Sequence, residues 1–257
     1  MHPILLKIGS FELHTYALTM ALGFIAAILL ANWRIEQRGI DLDKVLNLEV
    51  VLILAGLGGA RLMYCILEWR EFVDHPLDIP LFWKGGLVYY GGFLAALVLC
   101  LAYCWKVGLP MLACSDVAAP SLATGQFFGR LGCLFGGCCY GAPCSLPWAM
   151  TFPAASGDML PRHPTQAYEM LALLAIFAIL TWIYNRPGRV DGLVMVWYGY
   201  LYGVARFLLE YVRDDDRGGV FLGHFSISQV VSLGVIASAV VAHLLLLAYH
   251  RRRAGKS

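Results

Sequence analysis

The sequence predicts an all-α polytopic membrane protein with about seven transmembrane helices, and three observations carry that prediction. Of the 257 residues 60% are hydrophobic and 14% charged, against about 45–50% apolar and 25% charged in soluble domains. Seven mostly apolar stretches approach the ~20 residues a helical span needs: roughly 15–33, 47–67, 86–106, 111–135, 167–185, 191–212 and 228–249. Lysine and arginine are also spread unevenly over the connecting segments, as in a chain of fixed orientation.

In chain order, Met1–Phe11 has neither the basic start nor the small-residue cleavage site of a secretory signal, so the first stretch is kept as a span. It opens His14-Thr15-Tyr16. The second carries the small-residue run G-L-G-G-A before Arg61, a face suited to close helix packing. The third opens W-K-G-G-L-V-Y-Y-G-G-F, with Tyr90 followed by Gly91. The fourth holds Asp116 and Arg130 and runs into glycine and cysteine. The fifth follows R-H-P-T-Q-A-Y-E at 162–169, the sixth carries Arg206 and Glu210, and the seventh ends in R-R-R at 251–253. With no internal repeat and no second domain, the chain reads as one integral-membrane domain, 1–257, with a glycine- and cysteine-rich loop at about 136–166.

With the N-terminus outside, the inner segments hold ten Lys and Arg and the outer segments six, while most loop acids fall outside. The positive-inside rule then sets the C-terminus in the cytoplasm and the 136–166 loop on the outer face. A net charge of +2 is too mild to imply a nucleic-acid partner.

The chemistry concentrates at Gly125–Gly141, which contains six glycines and one cation, Arg130. A guanidinium at the edge of hydrocarbon costs roughly 2.5–3.5 kcal/mol on insertion scales, so it needs a partner or a ligand. Arginine's planar fork of donors suits phosphate, and a flexible backbone lets a ligand approach closely. Cys133, Cys138, Cys139 and Cys144 follow in the spacing C-x4-C-C-x4-C, which is not the C-x2-C pair of zinc or iron–sulfur sites. Tight packing, a disulfide and a metal site are the readings of that cluster, in that order, and no metal or cofactor is expected.

Glu49, Arg61, Asp116, Arg130, Glu169, Arg206 and Glu210 are the ionisable residues within or at the ends of spans, and such residues are functional candidates. Arg206 and Glu210, at i and i+4, can pair on one helix face. Arg61 would pair with Asp116 or Glu169. Three arginines do not make a proton relay; an anion reached from the outer leaflet, such as a phospholipid head group, is the physical inference. Tyr89 and Trp83 fit an interfacial aromatic belt, whereas Tyr90 among four glycines suggests backbone access. His163 reads as an outer-surface base or a helix-entry cap, with the cap favoured by residue type.

H-T-Y-A-L, G-G-A-R at 58–61, G-G-L-V-Y-Y-G-G at 85–92, S-D at 115–116, G-R-L-G-C-L-F-G-G-C-C-Y-G at 129–141, R-H-P-T-Q-A-Y-E and R-F-L-L-E-Y-V-R at 206–213 occur in one order. Together they resemble the prolipoprotein diacylglyceryl transferase family over nearly the whole chain. The resemblance implies a multi-pass enzyme of the bacterial inner membrane whose active site faces the periplasm. It would move the diacylglyceryl group of phosphatidylglycerol to the lipobox cysteine thiol in the signal peptide of a preprolipoprotein, releasing glycerol 1-phosphate. The family's lipid-binding arginine falls on Arg130 and a second essential arginine on Arg206. Tyr16, Asp116, Gly141, Glu210 and Arg213 fall on further functional positions. Some members carry histidine where this chain has Tyr90, asparagine at Cys133 and glutamate at Cys138.

On that resemblance Arg130 holds the lipid phosphate with Gly91, Cys133 and Gly141 around the lipid, and Arg206 neutralises the leaving phosphate. Tyr90, Tyr16 or His14 positions or deprotonates the acceptor thiol. Asp116 and Glu210 orient the arginines, with Arg213 and His163 in support. A membrane anion or lipid transporter, a paralogue with a changed acceptor, and a redox or metal protein built on the cysteines are the rival readings.

Overall fold

The computed structural model describes residues 4–8, 11–74, 76–152, 156–214, 220–221 and 225–254. Asp215, Asp216, Arg217 and Lys256, which entered the charge count, lie outside these. Each of the seven apolar stretches forms a helix: α1 Thr15–Gln37, α2 Leu42–Leu67, α4 Tyr89–Val107, α5 Met111–Gly136, α6 Thr165–Tyr184, α7 Leu193–Leu209 and α8 Ile227–Ala254, with a short α3, Trp69–Asp74, after α2.

Five of them, α1, α2, α4, α6 and α8, are long and apolar enough to cross a membrane. The other two fall short of the expected seven for physical reasons. Helix α7 has 17 residues, a rise of about 25 Å against a ~30 Å hydrocarbon core. Helix α5 is diluted by Asp116, Pro120, Gln126, Arg130 and small polar residues. Strand among the described residues is confined to two antiparallel hairpins: β1 Ile4–Ile8 with β2 Phe11–His14, and β3 Val220–Phe221 with β4 Phe225–Ser226. They precede α1 and α8.

The chain forms two compact units, Met1–Ala31 with Ser115–Ser257, and Asn32–Cys114. In the second, α2 and α4 approach so closely that a Cβ on Gly91 would lie 2.2 Å from Met63 Cβ and 2.5 Å from the Gly59 carbonyl oxygen. Gly91 is therefore buried in helix packing on the side where a Cβ would point. Gly91→Ala should overpack this contact by about 1–3 kcal/mol, read as a lower Tm in detergent. Tyr90, beside it, is exposed on the first turn of α4, with its ring centroid 5.8 Å from that of Tyr89.

Arg61 also departs from expectation. Among the described residues it forms no ion pair with a carboxylate; its guanidinium donates to four backbone carbonyls, Asp78 (2.6 Å), Ile79 (2.9 Å), Gly85 (2.6 Å) and Gly86 (3.1 Å). Five N–H donors in a fixed fork can gather a loop in this way, and Arg61 organises the segment between α3 and α4.

The first unit has its core where α5, α6 and α7 meet, at Ala119, Ala123, Leu173, Ile176, Leu180, Ile183 and Val194. Asp116 anchors it. Its carboxylate is fully buried, pairs with Arg189, and accepts N–H bonds from Gly192 (3.0 Å), Val194 (2.8 Å) and Met195 (3.2 Å). A carboxylate on the exposed amides at a helix start is favourable both as a cap and against the helix dipole. Asp116 thus fixes the start of α7 and orients neither Arg130 nor Arg206. Fourteen residues along α5 put it roughly 21 Å from Arg130.

Candidate active site

The site is built where α5 ends. Arg130 and Cys133, at i and i+3, share a face of its last turns. After Gly136 the chain turns sharply, with positive φ at Gly137 (77°) and Cys139 (64°); the second is a conformation that side chains other than glycine rarely adopt. The first turn of α6 holds this turn in place. Gln166 Nε2 donates to the Cys138 carbonyl (2.6 Å) and Thr165 Oγ1 to the Cys139 carbonyl (2.6 Å).

One turn further along α6, Glu169 enters the site almost fully buried. Its Oε1 lies 2.9 Å from Arg130 Nε and its Oε2 3.8 Å from Arg213 Nη1. Arg213 arrives from a different part of the chain, held by a small backbone weave. Gly141 N–H donates to His163 O (2.8 Å), His163 N–H to Ala142 O (3.0 Å) and Ala142 N–H to Val212 O (2.9 Å). A Cβ on Gly141 would sit 2.2 Å from the Val212 oxygen and 2.7 Å from His163 Cβ. Gly141 is needed for that approach, which is what carries Arg213 to Glu169.

His163 serves this weave through its backbone. The N-cap of α6 is Pro164, and no side chain caps that helix start, so the cap expected of His163 is not formed. Its Nδ1 lies 3.2 Å from Tyr168 Oη, which in turn accepts from Trp148 Nε1 (2.7 Å). Arg162 ties the outer part of the loop, bonding Asp158 (2.8 Å) and Asp214 (3.0 Å) with its guanidinium over the Tyr140 ring. Its hydrogen bond holds the Asp158 carboxyl below the usual carboxylate range.

Arg206 lies at the end of α7 and forms the i, i+4 pair with Glu210 at 2.9 Å. Its Nη2 also donates to Ser228 Oγ (3.0 Å), and Ser226 Oγ donates to Glu210 Oε1 (2.8 Å). Tyr202, one turn earlier on α7, is within electrostatic reach of Arg130. Tyr16, 46% exposed, lies against Gly132 on α5, with Arg130 and the thiols of Cys133, Cys138 and Cys139 among its electrostatic neighbours. His14 is at the exposed end of β2. Tyr90 and Gly91 belong to the other unit.

All eight cysteines are among the described residues and none is disulfide-bonded. The sulfur atoms of Cys133, Cys138 and Cys139 lie within 4.8 Å of one another. Hydrogen bonds from the Cys133 and Cys138 thiols, and then the charge of Arg213, hold the Cys139 thiol below its ordinary range.

Arg130 and Arg213 therefore both lie within ion-pair reach of one almost fully buried carboxylate, Glu169. Two guanidinium groups brought to one carboxylate also present the planar forks of donors that suit phosphate oxygens. Sequence reasoning placed Glu169 among the ionisable span residues and as a partner for Arg61, and gave Thr165 and Gln166 no role in the site. The available signal was a lone carboxylate one turn into the helix that follows the arginine-bearing loop.

The family model for prolipoprotein diacylglyceryl transferase matches residues 3–245. The chain belongs to the prolipoprotein diacylglyceryl transferase family. Similar relatives are the phosphatidylglycerol–prolipoprotein diacylglyceryl transferases of Bordetella avium, 36% identical over 95% of this chain and 94% of the relative, and of Clostridium tetani, 34% over 92% and 94%. That of Methylobacillus flagellatus is 34% identical over 98% of this chain and 97% of its own length. In this prolipoprotein diacylglyceryl transferase family member, Arg130, Glu169 and Arg213 form the charged centre just described.

Proposed function

We infer that this protein transfers the diacylglyceryl group of phosphatidylglycerol to the lipobox cysteine of prolipoproteins, with release of glycerol 1-phosphate. The observation that carries the reading is the pair of guanidinium groups, Arg130 and Arg213, on one buried carboxylate, Glu169. Guanidinium forks placed side by side in this way suit the oxygens of a phosphodiester. In this reading the whole chain, 1–257, works as one membrane-embedded domain of seven spans in the bacterial inner membrane. Its N-terminus is outside, its C-terminus is cytoplasmic, and the 136–166 loop faces the periplasm.

The reaction is a displacement at the glyceryl carbon bearing the phosphate. The acceptor thiol gives up its proton to water, its sulfur forms the new C–S bond as the C–O bond to phosphate breaks, and the phosphate leaves with that electron pair. Arg130 holds the lipid phosphate. Arg206, steadied by Glu210 and Ser228, offsets charge as the phosphate leaves. Tyr16, between Arg130 and the outer loop, positions the acceptor thiol.

The test is incubation of the purified protein with phosphatidylglycerol and a lipobox peptide. A peptide heavier by one diacylglyceryl group, with glycerol phosphate released in equal amount, supports the reading; no modification ends it. A transporter would instead move lipid or anion across vesicles without altering the peptide. Impermeant labelling of N- and C-terminal tags in oriented vesicles checks the orientation, and a labelled C-terminus on the outer face would reverse it.

A further inference from the structure

We propose that Cys133, Cys138 and Cys139 form a three-thiolate site for a zinc-class cation, whose open fourth position takes the acceptor thiol. The proposal rests on the transferase reading above and deepens it.

The geometry supports it in three respects. The three sulfurs lie within 4.8 Å of one another, the one such group of potential metal ligands found among the described residues. A triangle of that edge has its centre about 2.8 Å from each corner, so inward shifts of about half an ångström reach the ~2.3 Å Zn–S distance. Second, burial is graded. Cys133 is buried on α5, Cys139 is half-buried, and Cys138 is exposed, which gives a cation a route in and leaves one side of the triangle open.

Third, the surroundings suit a metal–thiolate centre. A divalent cation with three thiolates carries one net negative charge, and Arg213 lies at Cys139 while Arg130 is one turn from Cys133. The backbone that presents the sulfurs is held by Thr165 and Gln166 and includes the positive φ of Cys139. Bonds from neighbouring side chains of this kind orient metal ligands.

The chemistry fits the reaction. Three protein ligands with a fourth position for water or substrate is the catalytic zinc arrangement, and soft thiolates select soft or borderline metals. Incoming acceptor thiol displaces the bound water and releases its proton to solvent, because a coordinating thiol is deprotonated outright. The sulfur electron pair then forms the C–S bond, and phosphate departs toward the arginines. A free thiol with pKa ~8.5 is only a few per cent thiolate at neutral pH, so coordination overcomes that deficit without a histidine at position 90.

The test uses the full chain purified in detergent under reducing conditions. About one zinc per chain should bind, and the cobalt-loaded protein should show a thiolate-to-cobalt charge-transfer band. That band should change on adding a lipobox peptide and not on adding its serine counterpart. Zinc should protect Cys138 from alkylation and a chelator should restore it, a reading in the unaltered protein that does not depend on a variant folding. Replacing Cys133, Cys138 and Cys139 together by serine should abolish binding, and Cys144→Ser should leave it unchanged. Metal removal should slow transfer about tenfold at pH 7, with the loss shrinking as pH rises toward the free-thiol pKa. Absence of zinc and cobalt binding, a Cys133–Cys138 disulfide in its place, or full transfer by metal-free protein overturns the proposal. Metal binding with no transfer in any condition overturns the transferase reading instead and leaves the metal site standing.

Discussion

Arg130→Ala should lower diacylglyceryl transfer by about 10²–10³, the usual consequence of removing a preorganised charge donor from a reacting centre. Arg130 is the side chain that α5 delivers to the site with a fixed direction, because Glu169 Oε1 holds its Nε at 2.9 Å. Arg130→Lys keeps the charge without the planar fork and should recover part of the lost rate while binding lipid more weakly. Near-normal transfer by a folded Arg130→Ala protein, measured as lipidated lipobox peptide, would remove the phosphate role. Glu169→Gln offers an independent check. It leaves both guanidinium groups in place without their shared countercharge, so its loss should appear as misplacement of Arg130 and Arg213, with poorer lipid binding and a lower Tm.

Asp116→Leu should be the most destabilising single change in the α5–α7 core, by about 3–5 kcal/mol. The carboxylate has no exposed surface and satisfies Arg189 and three amides at the start of α7. Removing it leaves Arg189 with the Tyr184 carbonyl (2.8 Å) and the longer Asp191 contact (3.8 Å) but without its buried countercharge, and deprives the helix start of its acceptor; each buried unsatisfied donor carries its own desolvation cost. Asp116→Leu combined with Arg189→Met should recover much of the loss, because a buried pair replaced by apolar groups is often nearly neutral. Thermal unfolding of the three variants in detergent reads both effects. A drop in Tm for Asp116→Leu no larger than that of a surface substitution would refute the anchoring role. Lipid affinity of the double variant should stay near normal, since Asp116 acts at the far end of α5 from Arg130.

The seven helices were legible in the sequence because hydropathy and helix length are local properties, and the i, i+4 pair of Arg206 and Glu210 is local for the same reason. The small-residue run before Arg61 also predicted close packing, which occurs at Gly59 and Gly91. Charge partners were not legible. Arg61 chose backbone carbonyls, Asp116 chose Arg189 and a helix start, and Arg130 chose Glu169. Composition says that a buried charge needs a partner, but loop geometry selects which one comes within reach.

The cysteines show the same division. By spacing alone, C-x4-C-C does not look like a ligand set, and packing is the natural reading. The sequence by itself determined the membrane class, the helix order, the family, and Arg130 as the cation that needs explaining. Only the tertiary structure decided that Arg130 and Arg213 share Glu169 and that three thiols converge beside them. The reason is physical: the turn after Gly136 and the bonds from Thr165 and Gln166 join residues far apart in the chain, and no local pattern records that closure.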